Sequence, residues 1–279
     1  MNNKILKILE FGEITDRLGA LAITSPAKER AEKLLPSSDF DQVQNDIKQT
    51  LALTNLLRIK GQLPLTNFKD VRPSTKRLGV KANLNAQELG NLLLVLSLAQ
   101  EINEFLEDVD EKVDLTIIDP ILDQLDVPDL LFRELKKSID YDGEVLDTAS
   151  SELARLRHDI ASNEEDIKNR MTTYTKGNSS KYLSEQIVTI RDDRYVIPVK
   201  QEYRAKFGGV VHDQSASGQT LFVEPEAVLN LNNRQQNLIA KEKQEIRNIL
   251  KHLSNIARED IDSLNNIASA LNKIGRAHV

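Results

Sequence analysis

The stretch IVTIRDDRYVIPVK, residues 187–200, decides the fold because it breaks a sequence that otherwise reads as helix. β-Branched and aromatic residues lie on both sides of RDDR, a pattern typical of two strands joined by a hairpin turn. We therefore predict strands at residues 187–190 and 195–199. Pro198 has no amide hydrogen for a β ladder, so we expect its strand to lie at an edge of the sheet.

Two more short strands are predicted just downstream. The segments GGVVH, residues 208–212, and TLFVEP, residues 220–225, are rich in β-branched and aromatic residues. The polar loop DQSASG joins them. Together the four segments predict a small antiparallel sheet, after which Glu224 and Pro225 are expected to cap and start a helix.

Long helical patterns flank this sheet on both sides. Upstream, Ser150 and Ser151 with Glu152 are predicted to form the capped start of a helix whose apolar residues recur every three or four positions as far as Tyr174. Downstream, a heptad-like rhythm is interrupted only at Asp260, and a single helix over residues 226–274 would span roughly 70 Å. Two such helices joined by a short β unit predict an antiparallel coiled-coil stalk.

Composition supports a mainly α protein. Of the 279 residues, 40% are hydrophobic and only 4% are aromatic, and no cysteine is present to form a disulfide or a thiolate metal site. The predicted organisation is a helical core at 1–130, a connector and ascending helix at 131–180, a β unit at 181–225 and a descending helix at 226–274. The last residues, GRAHV at 275–279, are interpreted as a tail added for expression.

Basic residues gather around the predicted β unit and form the candidate binding site. Residues 176–251 hold 12 Lys and Arg against 9 Asp and Glu, although the whole chain has a net charge of −6. Such side chains can lie along a phosphate backbone without reading bases. The candidates for nucleic-acid binding are Arg191, Arg194, Lys200, Arg204 and Lys206. The alternative is a solvated charged surface, since Asp192, Asp193 and Glu202 lie among these cations.

A second candidate contact is the loop at residues 215–218, SASG. Its small residues could let the backbone approach a phosphate closely, but this composition is also that of an ordinary surface loop.

The sequence suggests no catalytic site and no metal site. His212, Asp213 and Ser215 are the residue types of a nucleophilic triad, but neighbouring residues on a strand point to opposite faces. His158 and His252 have no carboxylates at metal-ligand spacing and are interpreted as exposed helix residues.

Several stretches resemble the bacterial MutS-two subfamily. Residues 184–233, from SEQIV to LNLNN, resemble its clamp, and residues 144–157, EVLDTASSELARLR, resemble the start of its ascending lever. Residues 9–36 and 57–73 resemble its N-terminal core. The similarity covers residues 1–274, and the clamp stretch is highly specific.

This resemblance implies properties that no pattern above establishes. Full-length members of the subfamily are cytoplasmic, dimerising ATPases that use ATP and Mg²⁺ and carry an Smr nuclease domain. They are linked to branched DNA, to suppression of recombination and to collided ribosomes.

The motif G-x-x-x-x-G-K-[ST] is absent from these 279 residues. We therefore expect a core, lever and clamp fragment that binds DNA through its phosphate backbone and has no catalysis of its own. The alternative is a coiled-coil module that grips ribosomes or ribosomal RNA. No membrane contact is expected, because the longest apolar run, residues 92–99, is far too short to span a bilayer.

Overall fold

The structure is a computed structural model that describes residues 3–22, 24–107 and 115–277. Most of these residues are helical, and four short strands form one antiparallel sheet. The predicted fold class, mainly α with a small β unit, is confirmed. The chain forms two compact units, one from residues before 150 and after 248, the other from residues 150–248.

α-Helices form most of the first unit and flank the sheet in the second. In the described part of the chain they are α1 (Asn3–Ile8), α2 (Phe11–Leu21), α3 (Ser25–Glu32), α4 (Phe40–Lys60), α5 (Arg72–Gly79), α6 (Ala86–Glu107), α7 (Asp119–Leu122), α8 (Asp129–Ser138), α9 (Ser151–Thr175), α10 (Leu229–Glu259) and α11 (Ile261–Ala277). Short 3₁₀ turns lie between several of them.

Helix α6 is the centre of the first unit because it is apolar on nearly every side. Leu89, Leu92 and Leu96 are fully buried, and α8 and α11 both pack against this helix. At Gly90 the backbone near Asp140 passes so close to α6 that a Cβ atom on residue 90 would lie 2.7 Å from the Asp140 carbonyl oxygen. The sequence pattern therefore located the core helix correctly.

Helices α9 and α10 run antiparallel within the second unit. The Ser150 hydroxyl caps α9 by accepting the Leu153 amide at 2.9 Å, as predicted, and donates to Glu245 of α10 at 2.8 Å. Farther along α9, Asn163 donates to Gln235 at 2.8 Å. Because residue numbers rise along α9 while their partners' numbers fall along α10, the two helices point in opposite directions.

The prediction of one unbroken helix over residues 226–274 is wrong. Helix α10 ends at Glu259 and α11 begins at Ile261, so the break falls at the interruption of the heptad rhythm. Burial and the neighbouring Glu259 carboxylate raise the pKa of Asp260. The Asp260 carbonyl accepts the Leu264 amide at 2.9 Å and so starts the new helix. Helix α11 then packs on α3, α5 and α6.

The first unit therefore includes residues 249–274, which sequence analysis grouped with the descending helix. The predicted tail at 275–279 falls partly outside the described residues. Helix α11 continues to Ala277, and a Cβ atom at Gly275 would lie 3.2 Å from the Thr24 hydroxyl.

The sheet of the second unit has the strand order β1-β2-β4-β3, all antiparallel. Its strands are β1 (Thr189–Arg191), β2 (Arg194–Lys200), β3 (Val210–Gln214) and β4 (Thr220–Glu224). Asp192 and Asp193 form the first turn with φ of 49° and 58°, the left-handed backbone that a tight two-residue hairpin requires. Asp tolerates this conformation better than most residues, so RDDR was correctly interpreted as a turn.

Pro198 does not lie on an edge strand, contrary to the prediction. Strand β2 is central, and Pro198 pairs with Phe222 of β4. The carbonyl of Pro198 accepts the Ser184 amide at 2.9 Å, on the side of β2 that faces β1. Strand β1 pairs only with residues 194–196, and beyond that point this side of β2 meets the isolated bridge of Leu183 with Val199 in place of a continuous ladder that would need the missing amide hydrogen.

Two glycines beside the strands, Gly209 just before β3 and Gly218 between β3 and β4, offer a matched stability test. Gly209 and Gly218 both have positive φ, 75° and 72°, but a Cβ atom at Gly209 would lie 2.0 Å from the Glu224 carbonyl oxygen, whereas Gly218 has open space. We expect Gly218→Ala to cost about 1 kcal/mol of unfolding free energy. Gly209→Ala should cost at least about 4 kcal/mol. Urea denaturation followed by circular dichroism measures both, and equal losses would contradict the predicted clash.

Candidate nucleic-acid interface

The sheet is held by an apolar cluster that it shares with α9. Ile167 and Met171 of α9 are fully buried, and they pack with Ile197, Val223 and Phe207 of the sheet and its connection. Burying such side chains removes apolar surface from water and fixes the sheet against this helix. The polar side chains around the cluster therefore project from a rigid base.

The Glu224 carboxylate lies at the centre of the sheet's polar contacts. Glu224 is fully buried. Its carboxylate accepts hydrogen bonds from Arg194 at 2.9 Å and from Asn232 at 2.8 Å, and it lies 2.6 Å from Nε2 of His212. The prediction that Glu224 helps to cap the following helix is wrong. Its side chain points into this network, and Pro225 precedes a short 3₁₀ turn, Glu226–Val228, before α10.

Asn232, in the first turn of α10, forms hydrogen bonds with the backbone of strand β2. Its amide group accepts from the Tyr195 N–H at 3.2 Å and donates to the Tyr195 carbonyl at 3.0 Å. Burial and a hydrogen bond with Glu164 raise the pKa of the Tyr195 phenol to about 12. This end of β2 is thus tied to both helices of the second unit.

Two of the predicted binding arginines are engaged within the protein. Arg194 pairs with Glu224 and donates to Asn233 at 2.8 Å. Arg191 donates to Asp213 at 3.1 Å, and its guanidinium lies 4.1 Å from the centre of the Phe222 ring. Arg191 remains 37% exposed, while Arg194 is only 25% exposed. These side chains contribute mainly to the structure of the sheet.

Arg204 also has a structural role. Its guanidinium donates to the carbonyl oxygens of Gly208 at 3.1 Å and Gly209 at 2.7 Å. Both glycines have positive φ, so their carbonyls are turned away from a ladder and need donors. Three of the five predicted binding residues are therefore engaged in holding the sheet together.

The remaining two predicted residues belong to a group that we call the Lys–Tyr cluster. Its members are Lys181, Tyr182, Lys200, Tyr203 and Lys206. Lys206 donates to the Tyr182 hydroxyl at 3.0 Å and lies 4.2 Å from the centre of that ring. Lys200 donates to the Lys181 carbonyl at 3.1 Å. The hydrogen bond from Lys206 lowers the pKa of Tyr182, and the charge of Lys181 adds to this effect.

No carboxylate pairs with these three lysines within residues 3–22, 24–107 and 115–277. An open depression of about 840 Å³ borders the cluster. It is lined by Ser184, Lys200, Gln201, Glu202, Gln219 and Thr220, all residues with polar side chains. The cluster thus offers positive charge that the protein itself does not neutralise, next to hydrogen-bonding groups.

Sequence analysis missed Lys181 and both tyrosines. They lie on two short 3₁₀ turns, Ser180–Tyr182 and Gln201–Lys206, which the sheet brings together. The available signal was the repeated pairing of Tyr with Lys in SKY and YRAK. Only the fold shows that these two segments meet.

The other candidates do not assemble into a chemical site. His212 faces Glu224 and Asp213 faces Arg191, so these neighbours diverge as expected. The loop at 215–218 closes as a hydrogen-bonded turn in which Ser215 accepts the Thr220 amide at 3.1 Å. In the described part of the chain, no three acidic or histidine side chains are placed to hold a metal ion. No helix there is long and apolar enough to cross a membrane.

Comparison with known proteins gives the family. No family model matches the chain. It is 99% identical over 274 residues to Endonuclease MutS2 of Lactobacillus acidophilus, across 98% of this chain and 35% of that protein. The chain belongs to the MutS2 family. It is also 83% identical to Endonuclease MutS2 of Lactobacillus helveticus and 43% identical to that of Ligilactobacillus salivarius.

The chain spans about a third of the length of these MutS2 relatives, 35% in each of the three. The resemblance predicted from residues 1–274 is confirmed. Similarity extends over 97–98% of the chain, so both compact units are MutS2 sequence.

The Glu224 network gives a stability prediction for this MutS2-family chain. Glu224→Ala should cost about 3–5 kcal/mol, because it leaves Arg194 without its anion in a largely buried position. Asp213→Ala removes an exposed ion pair and should cost only about 0.2–1 kcal/mol. The urea midpoints of the two variants, measured beside the parent chain, test this difference. Similar midpoints for the two variants would show that Glu224 does not have this central role.

Proposed function

We propose that this chain is a nucleic-acid-binding part of a MutS2 protein and contacts the phosphate backbone through the Lys–Tyr cluster. The single observation that carries this proposal is the set of three lysines, Lys181, Lys200 and Lys206, that have no carboxylate partner in the described residues. Unneutralised cations grouped on one surface attract a polyanion without regard to base sequence.

The residue types also suit backbone contact better than base recognition. Lysine carries a compact charge on a flexible stem, which can follow phosphates at varied positions. Arginine is the usual residue for bidentate contact with guanine, but Arg194 and Arg204 already donate to protein groups. We therefore assign the main contacts to the lysines of the cluster and a secondary contact to the partly exposed Arg191.

We propose that the ATP site, the Mg²⁺ site and the dimer contacts of whole MutS2 proteins lie in parts other than this chain. The 279 residues contain no G-x-x-x-x-G-K-[ST] loop to cradle phosphates, and the described residues include no acidic group arranged for a metal ion. The residues present therefore do not fit an ATP site. The function proposed for this chain is binding.

Removing the cluster's charges tests the proposal directly. The triple variant Lys181→Ala, Lys200→Ala, Lys206→Ala should bind a 20-base-pair duplex more weakly. The slope of log K against log salt should flatten by about 2.7, three times the roughly 0.9 expected per phosphate contact. Fluorescence anisotropy over a series of KCl concentrations measures both. Lys243→Ala, an exposed lysine of α10, is the control and should change neither value.

An unchanged slope in the triple variant would overturn the assignment of the cluster. Running the same variants against branched DNA and against ribosomes separates the two cellular roles. Loss of ribosome binding with DNA binding intact would favour the ribosome as the partner.

Glu202 allows a test of opposite sign. Its carboxylate lines the depression beside Lys200 and should repel phosphate. We expect Glu202→Gln to tighten duplex binding at low salt, with the gain fading as salt screens the charge. Glu185→Gln removes the charge of another exposed acidic residue near the cluster in sequence. This control shows whether the loss of any nearby negative charge tightens duplex binding. Weaker binding by Glu202→Gln would contradict a phosphate path through this depression.

A further inference from the structure

We propose that the Lys–Tyr cluster holds an unpaired nucleotide, with its base stacked on Tyr203 and its phosphates against the lysines. This inference rests on the proposed function and deepens it, because it adds a preference for single-stranded nucleic acid. Proteins that bind single strands combine backbone-tracking cations with aromatic rings on which bases stack. Both components are present here within a few ångströms of each other.

The two tyrosines have different surroundings. Their ring centres lie 4.8 Å apart at 47°, and the Tyr182 ring also meets Phe207 edge-on at 6.4 Å. Lys181 and Lys206 lie over the Tyr182 ring, at 5.1 Å and 4.2 Å from its centre. Tyr182 is partly exposed, like Tyr203, but its ring already contacts Phe207 and two lysines, and it acts as a support for Tyr203.

The Tyr203 ring has fewer contacts within the protein than the Tyr182 ring. It is partly exposed, and its nearest cation is Lys206 at 5.7 Å from the ring centre. Its hydroxyl has no hydrogen-bond partner within the described residues, whereas the Tyr182 hydroxyl accepts from Lys206. A base that stacks on Tyr203 would place its phosphate within reach of Lys206.

The adjoining depression supplies groups for the rest of a nucleotide. It is an open surface depression, and Gln201 and Gln219 on its lining carry both donors and acceptors. The backbone N–H of Gln201 donates a hydrogen bond to the backbone carbonyl of Gln219 at 3.0 Å, so the backbone that carries these side chains is fixed. Either side chain could contact a base edge or a sugar.

Stacking distinguishes an unpaired base from a duplex. In a duplex the faces of the bases are covered by their neighbours, so only phosphates and sugars can meet the cluster. In a single strand, a loop or a branch point, a base can turn out and lie on the tyrosine. Bases of DNA and RNA offer the same ring face, so the 2′-hydroxyl is not needed.

Substitutions at Tyr203 test the inference. Tyr203→Leu keeps apolar bulk but loses the ring, and it should weaken binding of a 12-nucleotide single strand roughly 5- to 140-fold, the value of one stacked base. Binding of a 20-base-pair duplex should change less than about twofold, and Tyr203→Phe should match the parent. Anisotropy titrations with DNA and RNA strands of the same sequence show whether the site accepts both. Circular dichroism confirms that each variant is folded.

The outcomes separate this inference from the proposed function. If Tyr203→Leu binds single strands as tightly as the parent while the triple lysine variant loses duplex binding, stacking is wrong and backbone contact stands. If Tyr203→Leu weakens single-strand and duplex binding equally, the ring has no selective role and the inference also fails. If neither variant changes any binding, both proposals fall.

A spectroscopic test uses the absence of tryptophan from the chain. Tyr203→Trp introduces the only indole, whose fluorescence should be quenched when a base stacks on it. We expect single-stranded DNA and RNA to quench this emission and a duplex at saturating concentration to leave it nearly unchanged. Equal quenching by the duplex would overturn the inference, because phosphates alone would then explain the signal.

Discussion

The structure of the second unit depends on one buried carboxylate. Glu224 lies on β4, while its partners Arg194, His212 and Asn232 come from β2, β3 and α10. A carboxylate withdrawn from water is costly unless its oxygens are satisfied, so these contacts must form together or not at all. A single side chain thus fixes three strands and a helix in one arrangement. The 3₁₀ turn Gln201–Lys206, which carries Tyr203 and Lys206 of the Lys–Tyr cluster, directly follows β2 of this sheet and packs against it.

That arrangement explains how the positive charges of the sheet are divided. The arginines have planar, multiply donating groups, and the fold uses Arg194 and Arg204 to satisfy buried or inward-facing oxygens. The lysines of the cluster instead contact a carbonyl, a hydroxyl or aromatic rings. The positions of these cations in the sequence do not distinguish one from another. The geometry separates those that build the sheet from those that can meet a partner.

The helices show a similar division between pattern and context. Antiparallel pairing of α9 and α10 follows from long amphipathic segments joined by a short sheet, and it was predicted. The heptad rhythm also continues past Asp260, yet the helix is interrupted there, and Ile249 and Leu253 before the break are buried in the first unit just as Leu264 and Ile267 are after it. Periodicity indicates which residues of a helix are apolar. It does not indicate which neighbour those residues will cover.

The sequence by itself determined the fold class, the core helix α6, the RDDR turn, the Ser150 cap and the family, because each depends on local propensity or on a contiguous stretch. Tertiary structure alone decided the central place of β2, the buried role of Glu224 and the meeting of Lys181 and Tyr182 with Tyr203 and Lys206. Apart from the contacts of Glu224 with His212 and Asn232, these last features join residues about twenty or more positions apart. Their contacts depend on how the strands pair, and no local pattern encodes that pairing.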